Sequence, residues 1–424
     1  VISNAADISK RSYDIVVFGA TGFTGKMAAT YLAKKYGRSV RWAIAGRRQT
    51  ALDDLRKELL KLNSDFNGIN AEEAIPIIIA DSSNLSSLHE MTSKAVCVVT
   101  TAGPFDKYGS MLVESCALHG THYCDITGET DWVRKMIDQF DDLARLSGAR
   151  IVSFCGHDCI PWDLLVLECS KYLKKKGERL DSISFYDEIN AGPSGGTMDT
   201  VFHSLGNRTK YKSQLGFDPL QKSTAPASLE NGVERHSPSS NKVISKTQQW
   251  LSYSKEFKAW TGPFIMSMVM CNCVRRSNAL NNYNSKLVYR EAAVYPSFMA
   301  GYVNVMGLLV LGTLLMCPPL KHFMQKYVMP QPGEGPSEEE MDRGFLKVTG
   351  FGQGNLGSKV RATLYFPTDP GYRDTARMLI EAGLSLALEG NAIKVGGGLW
   401  TPASCQGEVL LRRLVDSGSS FTIE

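Results

Sequence analysis

An excess of charge of either sign is absent: 47 lysines and arginines face 43 aspartates and glutamates, leaving +4 at pH 7. So mild a balance, with no long basic block, argues against a nucleic-acid partner. Ten cysteines in 424 residues do not make a disulfide scaffold, and their scatter through apolar segments suggests a reducing compartment. Residues 1–12 are polar and lack the apolar core of a secretory signal, and Val in first place suggests a processed or trimmed start. Complete metal-ligand sets are missing too. Cys116, His119, His122 and Cys124 have short gaps, yet the first pair belongs on a helix and the second in a buried strand. A satisfied core explains them, so no metal is expected. Cys155 with Cys159, and Cys271 with Cys273, are equally incomplete. What remains is ordinary globular material, 43% hydrophobic and 21% charged, long enough for two domains.

The chain is organised around residues 13–25, YDIVVFGATGFTG, an apolar run that breaks into glycines at 19, 22 and 25. The run reads as a buried parallel strand, and Met27, Tyr31 and Leu32 behind it have helical spacing. Strand, glycine turn and helix is the layout that holds a dinucleotide. Gly19 permits the tight turn, Gly22 leaves room for a pyrophosphate, and Gly25 lets helix and strand pack closely. Gly19, Ala20, Thr21, Gly22, Phe23, Thr24 and Gly25 are therefore candidate cofactor contacts, with the first helical N–H groups facing the anion.

The second strand, VRWAIAG, ends in Arg47 and Arg48 with no carboxylate at its turn. Arginine there suits the 2'-phosphate of NADP(H), whereas NAD sites carry Asp or Glu. The alternative is a pair of solvated arginines opening the next helix. A third strand ends in Asp81, placed either to meet the adenine or to cap the helix that follows. A fourth runs into Ala102, Gly103, Pro104 and Phe105, a fifth into Gly128 and Glu129, and a sixth into Gly156, His157 and Asp158. Ligands of doubly wound sheets sit beyond the carboxyl ends of the strands, so these turns should face one crevice.

GATGFTG, AGRR, TTAGPFDKYG, CDITGE, GHDCIP and AGPSGGT, in that order, resemble the saccharopine dehydrogenase-like oxidoreductases, in particular the branch related to trans-acting enoyl reductases. DPGYRDTARMLIEAGLSLAL and GGLWTPASCQGEVLLRRL resemble the family's C-terminal helices. The resemblance implies an α/β fold: a Rossmann-type doubly wound parallel sheet with an inserted α+β domain. The expected division is 1–165 for the dinucleotide domain, 166–390 for a substrate or dimerisation domain, and 391–424 for a segment returning to the first. It leaves the substrate open, since family members reduce imine, enoyl or unknown compounds.

Hydride transfer needs a group that gives or takes a proton beside the nicotinamide. Tyr108, Asp158 and His157 are the catalytic candidates, in that order, with Asp125 and Glu129 as further carboxylates at a strand end. The family more usually has Phe before the Asp, so His157 is a departure, although histidine titrates near neutral pH. Tyr172 and Lys176 match a Tyr-x-x-x-Lys spacing but read as the basic, solvated end of a helix.

The second domain opens near SISFYDEIN, and Ser194, Gly195, Gly196 and Thr197 form either a cleft-lining turn or a helix cap. Residues 222–246 read as a surface insertion. From 292 to 320 there is not one charged residue, and about 20 apolar residues can cross a bilayer. A crossing would separate the C-terminal third from the sheet it should rejoin, while Pro318, Pro319, Lys321, His322, Phe323, Lys326 and Tyr327 suit a headgroup layer. The preferred expectation is a monotopic dip of 298–320 into a membrane or lipid-droplet surface, in an organelle, mitochondrion or cytosol. Burial in a homodimer interface or in the core is the alternative. The expected function is NAD(P)H-dependent reduction of a hydrophobic carbonyl or enoyl compound. A saccharopine-type dehydrogenase, for which Arg208, Lys210 and Lys212 would bind carboxylates, and a non-catalytic lipid-surface scaffold are the alternatives.

Overall fold

The computed structural model describes residues 8–191, 241–264, 266–315, 319–320 and 335–424. Two compact units emerge among these residues: one runs to Ile160 and resumes over 372–417, and the other holds 161–371 and 418–424.

The first unit alternates strand and helix. In order come β1 (Tyr13–Phe18), α1 (Phe23–Tyr36), β2 (Trp42–Gly46), α2 (Gln49–Leu59), α3 (Ala71–Ala74), β3 (Ile77–Ile79), α4 (Leu85–Lys94) and β4 (Ala95–Thr100). They are followed by α5 (Phe105–Tyr108), α6 (Ser110–His119), β5 (His122–Asp125), α7 (Thr130–Ser147) and β6 (Arg150–Val152). β1, β2 and β4 are buried along nearly their whole length, so both faces must be covered and their sequences are apolar throughout. α2 instead buries only Leu52, Leu55 and Leu59, one stripe at helical spacing.

The second unit contains α8 (Ile160–Lys175, from Pro161 onward), β7 (Leu180–Asn190), β8 (Lys242–Ser245), β9 (Ser252–Ser254), β10 (Ala259–Gly262), α9 (Ser267–Asn281) and β11 (Lys286–Tyr295). It continues with α10 (Phe298–Leu315), α11 (Glu338–Arg343), β12 (Phe345–Gly354) and β13 (Lys359–Phe366). The chain then re-enters the first unit with α12 (Thr375–Leu388), β14 (Gly398–Trp400), α13 (Pro402–Cys405) and α14 (Gly407–Asp416), and ends in the second with β15 (Ser420–Ile423).

Strands of the first unit form one parallel sheet in the order β14-β6-β5-β4-β1-β2-β3. The chain moves outward from β1 to β3 and then returns to lay β4 on the other side of β1. The crevice of a doubly wound sheet opens at that reversal. This is the Rossmann-type α/β architecture that the resemblance implies. Re-entry comes at Tyr372, not at 391, and the first boundary falls at Ile160, not at 165. The reason for the later difference is α12, whose side chains from Thr375 to Leu386 are all buried. A Cβ on Gly383 would stand 2.4 Å from Val99 and 2.8 Å from Ile15, so this helix presses directly onto β4 and β1.

The second unit is a mixed sheet in the order β15-β13-β12-β7-β11-β10-β9, with β8 also paired to β11. Along β7 and β11, Ile183, Phe185, Leu287 and Tyr289 are buried, whereas Ser182, Ser184, Tyr186 and Arg290 line a cavity of about 640 Å³ on the opposite face. Alternation at period two places one row in the core and leaves the other open.

α10 covers most of the uncharged stretch. At 1.5 Å per residue its 18 residues span about 27 Å. No helix among the described residues is long and apolar enough to cross a membrane. Ser194, Gly195, Gly196, Thr197, Arg208, Lys210, Lys212, Pro318, Lys321, His322, Phe323, Lys326 and Tyr327 lie outside the described residues, as does most of 222–246.

Candidate active site

Gly19 has φ +80°, a left-handed conformation in which a side chain would be strained. Its N–H donates to the Ala45 carbonyl at 3.0 Å, and the Gly22 N–H donates back to the Gly19 carbonyl at 3.0 Å. A Cβ on Gly25 would fall 2.2 Å from that same carbonyl oxygen and 2.8 Å from Thr101 Oγ1. Gly22 is the N-cap of α1 and offers no side-chain cap, so the first N–H groups of the helix face outward without a partner from a capping side chain. Such a terminus attracts an anion. Ala20 is buried, Thr21 and Thr24 are half-buried, and the Phe23 ring meets the edge of Tyr372 at 4.8 Å.

Arg47 and Arg48 are exposed immediately after β2, where Arg48 is the N-cap of α2. Neither guanidinium makes a hydrogen bond or an ion pair among the described residues, and Arg47 acts on the nearby Asp81 only through its charge. Asp81 does not cap the next helix. Its Oδ1 accepts from the Ser83 N–H at 2.9 Å and the Ser83 hydroxyl at 2.7 Å, while Asn84 caps α4 through the Ser87 N–H. Those Ser83 bonds hold the Asp81 carboxyl below its ordinary range. The capping expectation fails because an Asx turn takes Asp81 first and leaves the cap to the residue three positions on.

Beyond β4 the turn Ala102–Gly103–Pro104 lies against the glycine loop. Thr101 Oγ1 donates to the Gly19 carbonyl at 3.3 Å, and a Cβ on Gly19 would be 3.1 Å from the Ala102 nitrogen. Glu129 binds the next element: its two oxygens accept from the Phe105 and Asp106 N–H groups, both at 2.8 Å, at the start of α5. The carboxylate considered for chemistry is therefore committed to a helix N-terminus. Asp125 is committed as well. Its Oδ1 accepts from the N–H groups of Thr127 and Phe154, each at 3.1 Å, and its Oδ2 from the Ser153 hydroxyl at 3.1 Å. Burial nonetheless dominates and pushes the Asp125 carboxyl up to about 7.

Tyr108 ends α5, half-buried, with Lys107 Nζ 5.0 Å from its ring centre. His157 and Asp158 sit together in the turn after β6, where His157 Nε2 lies 3.2 Å from Asp158 Oδ1. The backbone N–H of His157 donates to Thr375 Oγ1 at 3.1 Å, so α12 fixes that turn. Sequence reasoning missed Thr375 because it lies 218 positions away along the chain. No hydrogen bond or ion pair among the described residues joins Tyr108 to the His157–Asp158 pair.

Other tempting groups resolve as structure. Lys176 Nζ lies 4.6 Å over the Tyr172 ring at the end of α8. Cys116, His122 and Cys124 are buried; His122 Nδ1 accepts from the Arg150 N–H at 3.1 Å, and burial pushes the imidazole down to about 3. His119 pairs instead with His89, Nε2 to Nδ1 at 3.2 Å. No cluster of three or more metal-ligating side chains occurs among the described residues.

The strand–turn–helix cradle, its tight glycines and the unengaged arginines fit an adenine dinucleotide that carries a 2'-phosphate. Residues 15–152 match the family model of the saccharopine dehydrogenase NADP-binding domain. Over 97% of both chains, the sequence is 34% identical to a putative trans-acting enoyl reductase of Mycobacterium tuberculosis and 32% identical to a trans-acting enoyl reductase of Mycobacterium bovis. In fold it resembles saccharopine dehydrogenase (L-Glu forming) from Saccharomyces cerevisiae, with a TM-score of 0.56 at 12% identity, covering 97% of this chain and 99% of that one. It also resembles homospermidine synthase from Legionella pneumophila, with a TM-score of 0.51 at 10% identity, covering 96% and 91%. The chain belongs to the saccharopine dehydrogenase-like oxidoreductases, on the branch of the trans-acting enoyl reductases, and its first unit is an NADP-binding domain.

Proposed function

We propose that this chain reduces the carbon–carbon double bond of a hydrophobic enoyl compound, drawing that substrate from a lipid surface. The observation that carries the redox half is the uncapped start of α1 beside the unengaged Arg47 and Arg48. NADPH, when bound, supplies the hydride. The chain's own residues do the rest. The Gly19–Gly25 loop holds the pyrophosphate, Arg47 and Arg48 pair with the 2'-phosphate, and Ala102, Gly103 and Pro104 support the nicotinamide ribose. As the π bond breaks, one carbon takes the hydride and its neighbour takes a proton, for which Tyr108, Asp158 and His157 are the candidate donors, in that order.

Support for the lipid half is α10 with its surroundings. Met299, Val303 and Val310 are 63%, 65% and 52% exposed, and no charged residue interrupts 292–320. Trp260 meets Phe298 edge-on at 5.0 Å and Tyr253 at 5.6 Å, giving the helix base an aromatic collar suited to a headgroup layer. Exposed apolar surface of this extent marks a docking face. Mass spectrometry of small molecules that copurify with the protein tests both halves. NADP(H) together with acyl lipid is the expected outcome. Absence of any adenine dinucleotide, with no NADPH binding by calorimetry, would refute the reading. Tight NADPH binding without turnover on enoyl thioesters would instead identify a non-catalytic scaffold.

A further inference from the structure

Three turns of the first unit converge on the segment CDITGE. The Asp125 oxygens accept from Phe154, Ser153 and Thr127; Thr127 Oγ1 accepts from the Glu129 N–H at 3.0 Å; and Glu129 accepts from Phe105 and Asp106. The turns after β4, β5 and β6 are thereby joined in one hydrogen-bonded chain. The Asp125 carbonyl adds a bond from the Cys155 N–H at 2.6 Å. Between these anchors Phe154 takes φ +68°, a left-handed backbone that a bulky residue rarely adopts. Such a conformation persists only where its surroundings over-determine it. Here it redirects the chain out of β6 and into the turn that carries His157 and Asp158.

We propose that Asp125 is a positioning residue for the reduction: with Thr127 and Glu129 it locks the turns after β4, β5 and β6 into one ledge, and it holds Phe154 in the conformation that presents His157 and Asp158. The assignment rests on the reading of these turns as the cofactor crevice. It accounts for two buried carboxylates, Asp125 and Glu129, whose oxygens are taken by backbone N–H groups and the Ser153 hydroxyl.

The ionised Asp125 carboxylate accepts these N–H bonds more strongly than the neutral acid does. Because its carboxyl is pushed up to about 7, the ledge tightens as pH rises through neutrality. The titratable groups around it are Tyr123 and Cys124 on its own strand, Cys97 on β4 and Cys155 after β6, with His157 and Asp158 further along that turn. Burial pushes Tyr123, Cys97 and Cys155 well up, so they stay neutral. Against its burial, hydrogen bonds from Cys155, Cys97 and Gln406 pull the Cys124 thiol down. Cys124 is thus the group whose titration must be separated from that of Asp125.

Amide hydrogen exchange on the full chain without cofactor, followed from pH 6 to 8 and corrected for intrinsic rates, reads the ledge directly. Wild type should gain protection at Thr127 and Phe154 across neutrality, and Cys124→Ser should keep that step. Asp125→Asn should lose it, with Thr127, Phe154, Phe105 and Asp106 exchanging roughly tenfold faster. Thr127→Val, which removes only the link to Glu129, should loosen Phe105 and Asp106 while sparing Phe154; it carries the test if Asp125→Asn fails to fold. Loosening confined to the substituted site, a step that survives in Asp125→Asn, or one abolished in Cys124→Ser would overturn the proposal. Parallel NADPH titrations separate the two readings, since failure of wild type to bind would defeat the cofactor assignment while the exchange result stands on its own.

Discussion

The Gly25 α-carbon and the Gly19 carbonyl oxygen approach so closely that a methyl group at position 25 would sit 2.2 Å from that oxygen. The obstacle is backbone, at a turn whose φ is already left-handed, so no side chain can swing aside. Gly25→Ala should therefore destabilise the first unit by about 1–3 kcal/mol and weaken NADPH binding. Thermal unfolding and calorimetry check this, and an unchanged melting point with intact affinity would contradict the packing described.

Among the described residues Arg47 and Arg48 make no hydrogen bond or ion pair, and only the charge of Arg47 reaches Asp81, so their removal should cost little stability and fall on the nucleotide. Replacing both by Ala should weaken NADPH at least roughly tenfold more than NADH, the worth of one charge-assisted contact. Equal losses for the two cofactors would place the 2'-phosphate elsewhere.

His122 links stability to acid. Its pKa is about 3 in the folded protein because burial penalises the imidazolium, against about 6.5 in the unfolded chain. Between those values the unfolded state binds the extra proton. Stability attributable to this group is complete above about 6.5 and falls as pH drops toward 3, by up to about 1.4 kcal/mol per pH unit. His122→Asn can keep an acceptor for the Arg150 N–H but cannot titrate. Urea denaturation between pH 4 and 7 should show a shallower slope for this variant, and identical slopes would assign acid sensitivity to other residues.

The exposed flank of α10 gives a test that leaves both sheets intact. Val303→Glu with Val310→Glu should release the protein from phosphatidylcholine vesicles in flotation. If wild type already remains free of vesicles without detergent, the lipid-surface reading fails and the face is covered by protein.

The nucleotide cradle was legible because its signals are local: an apolar strand, three spaced glycines, then a helix, with arginines one strand later. The doubly wound sheet followed from the resemblance, and the alternation of strands and helices was legible too. Partners distant in sequence were not. Nothing near Asp125 or Glu129 announces that backbone N–H groups more than 20 residues away claim both carboxylates. The capping alternative for Asp81 missed by three positions because Asx turns and helix caps use the same residue types. α12 looked like part of the second domain because it is buried on all sides: even Arg377 and Glu381 are paired inside the protein, so no solvent face shows which sheet it serves.

That late return of α12 and β14 bears on how the protein is made. A ribosome that has delivered β1 through β6 has not yet supplied the helix that shields β1 and β4 or the strand that extends the sheet beyond β6. Some two hundred intervening residues must emerge before the greasy flank of that sheet is sealed. Cutting the chain after β6 should therefore leave that flank open to water and give an aggregation-prone fragment, not a miniature enzyme.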